Sequence, residues 1–254
     1  MAANGLTETK KALAALSPAT PSAARAFRQA LPSLSILVGD KIVVESEYCD
    51  EQCPPEKLRA IKESCEFLGG LLAACFELGL YEPLAEEVGW YASLMKNRGF
   101  GEGHVRDTVV AWINGIYFKI APPASAELSR PLELLLDDLP ALPAARPPEV
   151  PTPPAARRFL ELILDANKRG AADYVLDLLK KSTPLEEIID YVLLPALGEV
   201  GTLWQYNRIG VAEEHAAAEI CRDVVGRLPA AAPAGERGRR KALLCCVPGE
   251  EHEL

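Results

Sequence analysis

Three residues near the end of the chain have the side-chain types and the spacing of a binding site. Trp204 is followed, after nine intervening residues, by the adjacent pair Glu214 and His215. If one helix ends at the tryptophan and another begins at the pair, a large aromatic surface and two hydrogen-bonding side chains meet at one end of a helical bundle. Taken singly, such a tryptophan is more often core and such a pair more often solvated. The combination is what indicates a site.

A second acid–imidazole pair, Glu250 and His252, follows an apolar run. The run is Lys241–Val247, with the sequence KALLCCV, and Pro248-Gly249 turns the chain after it. Such runs are typical of strands buried on both faces of a parallel sheet, and open α/β sheets bind ligands beyond the carboxyl ends of these strands. One strand cannot form a sheet by itself, so we expect a truncated α/β domain.

The elements that must position Trp204 and the Glu-His pair are helices. Residues 183–186 read Thr-Pro-Leu-Glu, which predicts a capping box with proline at the first helical position. The helix that starts there should carry Trp204 at the C-terminal end of its buried face, with a kink at Pro195. Three further helices complete a predicted set of four: Ala155–Lys168, Ala171–Lys181 and Val211–Leu228.

Proline-rich and small-residue stretches divide the chain into segments. Seven prolines fall in residues 140–154, which predicts a semi-rigid linker. Ahead of it we expect a short helix at Ala24–Leu31, a hairpin in Ser35–Ser46 and an antiparallel set of longer helices, namely Pro54–Gly79, Pro83–Asn97, Gly103–Ile120 and Ser125–Leu139. The predicted division is a flexible N-terminus (1–22), an N-terminal helical domain for sensing or interaction (23–139), the linker (140–154), a four-helix domain (155–229), a second linker (230–240) and the strand with its acidic tail (241–254).

Composition excludes several classes of function. The chain has 254 residues, 49% of them apolar, and a formal net charge of −9, which predicts a globular protein and disfavours direct nucleic-acid binding. No apolar run is long enough to predict a membrane span. Seven cysteines, an odd number, and a charged N-terminus without a signal peptide favour reduced thiols in the cytoplasm.

The order of these features resembles the cobalamin (B12)-binding module, and in particular the subgroup found in B12-dependent light-sensing regulators. That family has Trp, nine residues and Glu-His in a helical cap, then Glu/Asp-x-His after the first strand of a flavodoxin-like domain. Here Trp204, Glu214 and His215 match the first part, and Glu250 and His252 match the start of the second. The resemblance covers about residues 155–254 and implies a mainly α chain of two helical bundles, the second a four-helix cobalamin cap followed by the first strand of a truncated flavodoxin-like domain.

The resemblance also implies a role for each matching residue. Trp204, Val211, Glu214 and His215 would surround the upper ligand of the corrin. His252 would be the lower axial ligand of cobalt, and Glu250 would hydrogen-bond its other ring nitrogen. The cofactor implied is adenosylcobalamin, with methylcobalamin as the alternative.

This sequence departs from the light-sensing subgroup in three ways. Gln205 stands where those repressors have a histidine directly after the tryptophan, residues 1–140 contain no winged-helix pattern, and the chain ends before the glycine of the His motif and the rest of the sheet. We therefore expect weak cobalamin binding by a truncated chain. In the N-terminal domain, Trp90, Glu102 and His104 faintly resemble Trp204, Glu214 and His215, although a core tryptophan and a loop histidine are the favoured interpretation there.

The function implied is a cobalamin-binding sensor or regulator that acts as a switch and not as an enzyme, with a regulatory protein as its partner and with self-association allowed. Two alternatives stay open. One is a corrinoid methyl-carrier protein of a methyltransferase system, which has the same fold and the same lower histidine. The other is a helical interaction module without a corrinoid.

Overall fold

The computed structural model describes residues 2–45, 54–101, 103–139 and 152–231, and the regular structure in those ranges is helical. The prediction of a mainly α protein is thereby confirmed for them. The chain divides between Arg146 and Pro147 into two compact units, inside the proline-rich stretch 140–154. Within the described ranges, no helix has the length and apolarity needed to cross a membrane.

The described part of the first unit is built from helices α1 to α6. Their bounds are Ala2–Ala14 (α1), Pro21–Glu45 (α2), Pro55–Leu78 (α3), Pro83–Asn97 (α4), His104–Lys119 (α5) and Ala124–Asp138 (α6). Helix α2 is the central element, because it packs against α3, α5 and α6. Helix α1 packs against α4 and α6, and α4 also packs against α5.

Helix α1 occupies a stretch that we expected to be flexible. Thr9 and Leu13 are buried, and Thr9 Oγ1 donates a hydrogen bond to Asp138 Oδ2 at 2.9 Å. Lys10 Nζ lies 2.7 Å from Glu86 Oε1. In this otherwise flexible stretch we expected at most one short helix, around residues 9–16, whereas α1 already begins at Ala2. Its alanine-rich sequence favours a helix, and two buried residues one turn apart give that helix a face to pack.

Helix α2 passes through the segment for which we predicted a hairpin. Leu34, Val38 and Ile42 are buried at four-residue intervals, whereas Ile36 between them is 66% exposed. A half-buried strand buries alternate residues, while a helix buries every third or fourth. The hairpin prediction for Ser35–Ser46 is wrong over residues 35–45, because burial of this stripe outweighs the strand preference of β-branched residues.

Two prolines lie inside helices of the first unit. Helix α2 continues through Pro32, although we predicted that a helix would stop at Leu31, and Pro131 lies inside α6. An internal proline costs a helix about 3 kcal/mol relative to alanine. Packing offsets this cost: Pro131 itself is buried, and α2 is covered by three neighbouring helices.

The core of the first unit depends on a close approach of α2, α3 and α5. A Cβ atom on Gly69 of α3 would lie 2.7 Å from Leu31 Cδ1 and 2.8 Å from Trp112 Cη2. Trp112 is fully buried, and its ring centroid lies 6.1 Å from that of Phe27. Glycine is therefore the residue that lets the three helices meet at this point.

The described part of the second unit consists of four helical segments that pack on one another. They are α7 Pro154–Leu164, α8 Lys168–Lys180, a composite third segment and α11 Val211–Ala231. The third segment runs as α9 Leu185–Ile188, a π-helical turn Ile189–Leu193 and α10 Leu194–Gln205. All four contribute to one apolar core, whose largest members include Phe159, Leu160, Ile163, Val175, Ile188, Val192, Leu193, Val200, Ile220, Val224 and Leu228.

The composite segment departs from the prediction at both prolines. Pro184 is the N-cap of α9, and no side chain caps this end, so the predicted capping box is wrong. Near Pro195 the helical period itself changes: the Leu194 N–H bonds to the Ile189 carbonyl, five residues back. Pro195, the second residue of α10, follows this π-helical turn directly.

Candidate functional site

The turn between α10 and α11 brings Trp204 to the same end of this helix pair as the Glu-His pair. Helix α10 ends in a Schellman motif, in which the Arg208 N–H bonds to the Leu203 carbonyl and the Asn207 N–H bonds to the Trp204 carbonyl. Asn207 takes the left-handed conformation at φ 54° that this motif requires. The chain reverses within Tyr206–Gly210, so α10 and α11 pack side by side.

The start of α11 is fixed by Glu213, which was not among the predicted site residues. The Gly210 N–H donates to Glu213 Oε2 at 2.7 Å, and the Gly210 carbonyl accepts from the Glu214 N–H at 3.1 Å. This is the glutamate half of a capping box, with Gly210 at the N-cap. Its signal was present in the sequence, since the acid follows the turn glycine by three residues. Glu213 therefore sets where Glu214 and His215 lie on the helix.

Glu214 and His215 interact directly. His215 Nδ1 lies 2.6 Å from Glu214 Oε2. Because a carboxylate only accepts hydrogen bonds, Nδ1–H of His215 is the donor in this contact. The Glu214 side chain is 19% exposed and that of His215 is 49% exposed. The pair thus presents an oriented ring nitrogen and a partly covered carboxylate at the surface.

Apolar side chains adjoin this pair at the end of the bundle. Trp204 is half-buried, and Val211, the first residue of α11, is 54% exposed. Gln205 follows Trp204 but is only 8% exposed, and successive helical residues point about 100° apart. Position 205 therefore faces inward, away from the surface to which Trp204, Val211 and the Glu-His pair contribute.

The remaining predicted site residues, Glu250 and His252, lie outside the described residues, as do the predicted strand 241–247 and the linker 230–240 apart from its first two positions. Their roles stay predictions. Among the residues that are described, no group of three His, Cys, Asp or Glu side chains is arranged to hold a metal ion. Burial raises the pKa of the Cys221 thiol in α11 to about 11, which fits a core residue.

The resemblance of Trp90 and His104 to the candidate site does not extend to their environments. His104 is the first residue of α5 and is only 4% exposed, with Nε2 3.1 Å from Tyr91 Oη and its ring centroid 4.5 Å from that of Phe100. His215, in contrast, is in the second turn of its helix and reaches solvent. His104 is therefore a core residue and not a loop histidine.

Comparison with known families identifies the class of the second unit. Residues 155–228, which span α7 to most of α11, match the family model described as a B12 binding domain. The second unit is thus similar to a B12 binding domain over the four helical segments described above.

One curated protein has a sequence related to this chain. The HTH-type transcriptional repressor CarH of Myxococcus xanthus is 32% identical over 134 residues, which are 52% of this chain and 44% of the repressor. The chain thus spans less than half the length of this relative. No solved structure gave a significant match.

Proposed function

We propose that this protein is a cobalamin-dependent regulator and that adenosylcobalamin is the form it binds. The observation that carries the proposal is the hydrogen-bonded Glu214–His215 pair, at the same end of the α10–α11 pair as Trp204, within a stretch that matches a B12 binding domain. Regulation is favoured because the relative is a transcriptional repressor.

The exposed residues suit the upper side of such a cofactor. Trp204 offers a flat apolar surface, and Val211 adds an exposed aliphatic group. The Glu214 carboxylate can accept hydrogen bonds from the hydroxyls of a ribose, and the His215 imidazole orients that carboxylate through Nδ1. The bound cofactor would supply cobalt–carbon chemistry that can respond to light. Glu250 and His252 would complete the site below the corrin, with His252 as the cobalt ligand and Glu250 fixing its tautomer.

The Glu-His pair favours a regulator over a corrinoid methyl carrier. A methyl carrier must leave its upper face open to partner enzymes, whereas Trp204, Val211, Glu214 and His215 would cover that face in the proposed site. The proposal includes a response to light, but Gln205 stands where the light-sensing repressors have a histidine. Its side chain also faces inward. We therefore expect any change on illumination to occur without a protein nitrogen binding the upper side of cobalt.

Titration of the 254-residue chain with adenosylcobalamin in the dark, followed by absorbance between the near-ultraviolet and the green, tests the proposal. We expect a saturable spectral change that is larger for adenosylcobalamin than for methylcobalamin, and a second change on illumination. Preference for methylcobalamin with no light response would instead favour the methyl carrier. If neither corrinoid gives saturable binding even when the chain is extended through the rest of the predicted flavodoxin-like domain, both corrinoid functions are contradicted and a helical interaction module remains.

A further inference from the structure

The first unit contains an apolar cavity between three of its helices. Phe67 and Leu71 of α3, Val88 of α4 and Val109 of α5 contribute to its walls, and Glu87 of α4 is the charged residue among those that line it. The enclosed part of this space is no larger than one water molecule needs. We call the surface that α3 and α4 form around it the α3–α4 groove.

The outer wall of the α3–α4 groove is an exposed apolar stripe. Phe67 is 57% exposed and Leu78 is 69% exposed, and Leu71 lies between them at helical spacing. Gly70 leaves the stripe open, since a Cβ there would meet nothing within 4 Å. The ring of Trp90 on α4 lies 6.4 Å from that of Phe67. From Phe67 to Leu78 the stripe is about 16 Å long at 1.5 Å per residue, which matches three turns of a docked helix.

The charges beside the groove are acidic. Glu63 lies one turn before Phe67 on α3, Glu66 directly precedes it, and Glu87 lines the cavity itself. Burial raises the pKa of Glu87, and the neighbouring charge of Glu86 adds to that effect. A second copy of the chain would bring the same acids against these, whereas a basic partner would neutralise them. Charge therefore disfavours self-association through this face and favours a cationic partner.

We propose that the α3–α4 groove docks an amphipathic helix of a partner protein, with Lys or Arg residues facing Glu63, Glu66 and Glu87. The apolar face of the partner helix would cover Phe67, Leu71 and Leu78. The groove lies wholly in the first unit, so this interaction does not depend on cobalamin. Failure of docking and failure of the proposed function can therefore be told apart.

Fluorescence anisotropy with a labelled peptide tests the proposal on the full 254-residue chain. The probe is a 16-residue amphipathic helix with leucines at positions i, i+4, i+7 and i+11 and lysines elsewhere on its surface. We expect saturable binding that weakens about tenfold or more in F67S, because truncating a central aromatic anchor removes most of its contribution. The E87Q variant, which keeps the shape of the side chain, should weaken binding several-fold and reduce its salt dependence.

The chain supplies a matched control for the aromatic anchor. Phe118 on α5 is 76% exposed and does not line the cavity, so F118S should bind the peptide as the unchanged chain does. A peptide of the same composition in scrambled order, which loses the apolar face, should bind at least about tenfold more weakly.

Equal binding of the scrambled peptide, equal losses in F67S and F118S, or the absence of saturable binding would overturn the proposal. So would a dimer, seen by sedimentation, that F67S dissociates, because the groove would then be occupied by a second copy. Circular dichroism of each variant checks that it is folded. If F67S is unfolded, E87Q and the scrambled peptide still decide the outcome.

Discussion

Glu213 and Glu214 are neighbours in the chain, but their carboxylates have different hydrogen-bond partners. Glu213 Oε2 accepts from the Gly210 N–H at 2.7 Å and so begins α11, whereas Glu214 Oε2 lies 2.6 Å from His215 Nδ1 at the surface. Adjacent helical residues point about 100° apart, which is why one acid reaches back to the turn while the other reaches the imidazole. Glu213 thus begins the helix, whereas Glu214 pairs with the imidazole beside it.

Replacing each acid by alanine should separate these two contributions. We expect E213A to lower the free energy of unfolding of the second unit by about 1 kcal/mol, the usual value of a lost cap, with little change in adenosylcobalamin affinity. E214A should change stability by no more than about 0.5 kcal/mol and weaken adenosylcobalamin binding about tenfold. Urea unfolding and spectral titration measure the two quantities. Equal effects of both variants on affinity would contradict this assignment.

Trp204 should matter more for ligand binding than for folding. It is half-buried, so W204A loses only part of the packing that a core tryptophan has, and we expect a modest fall in Tm with a loss of at least about tenfold in adenosylcobalamin affinity. Tyr191, which is 61% exposed, provides the control, and Y191A should change neither quantity much. A W204A variant that binds as well as the unchanged chain would exclude Trp204 from the site.

Adjacent glycines in α3 should respond in opposite directions to alanine. G69A should destabilise the first unit by about 1–3 kcal/mol, because its Cβ would lie 2.7 Å from Leu31 Cδ1 and 2.8 Å from Trp112 Cη2. G70A should stabilise it by about 0.5–1 kcal/mol, since a Cβ there meets nothing within 4 Å and alanine favours the helix. Thermal and urea unfolding measure both. Equal destabilisation by the two changes would contradict the close approach of α2, α3 and α5.

The first unit should lose stability as the pH falls from about 6.5 to about 4. Burial lowers the pKa of His104 from its usual 6.5 to about 4, against the opposing charge of Asp107. In that window the unfolded chain binds a proton at this ring and the folded chain does not, so unfolding becomes more favourable, by about 3 kcal/mol at the acid end. In H104F the difference in unfolding free energy between pH 7 and pH 4.5 should shrink by roughly this amount.

His215 supplies the comparison for His104. It lies on α11 in the second unit, so H215F should leave the pH dependence of unfolding of the first unit unchanged. An H104F variant with undiminished pH dependence would mean that other groups cause the loss of stability.

The sequence was sufficient to predict four helical segments in the second unit, because their buried stripes are regular, but not the π-helical turn or the end of α7 at Leu164. It was less informative where a local preference opposed packing. The β-branched residues of 35–45 favour a strand. The segment is nevertheless helical, because Leu34, Val38 and Ile42 form a helical stripe that is buried where α2 packs on α3 and α5. The environment of His104 could not be predicted from the sequence either, because its contacts with Tyr91 and Phe100 are tertiary contacts.

Within the candidate site, spacing was enough to single out Trp204, Glu214 and His215, because a turn of known length joins two helices there. The capping contact of Glu213 could have been inferred from its distance in sequence from Gly210. The inward direction of Gln205 could not, since it depends on how α10 is rotated about its own axis. That rotation depends on the π-helical turn that precedes α10.

The π-helical turn at Ile189–Leu193 has a consequence for the orientation of everything that follows it. Its hydrogen bonds span one residue more than those of an α-helix, so α10 continues with its residues turned by roughly 100° from where an unbroken α-helix would carry them. Removing one residue from this turn would let a regular helix form, and would rotate the indole of Trp204 to another side of the bundle. The direction in which Trp204 points is thus set by a local change of helical period more than ten residues before it.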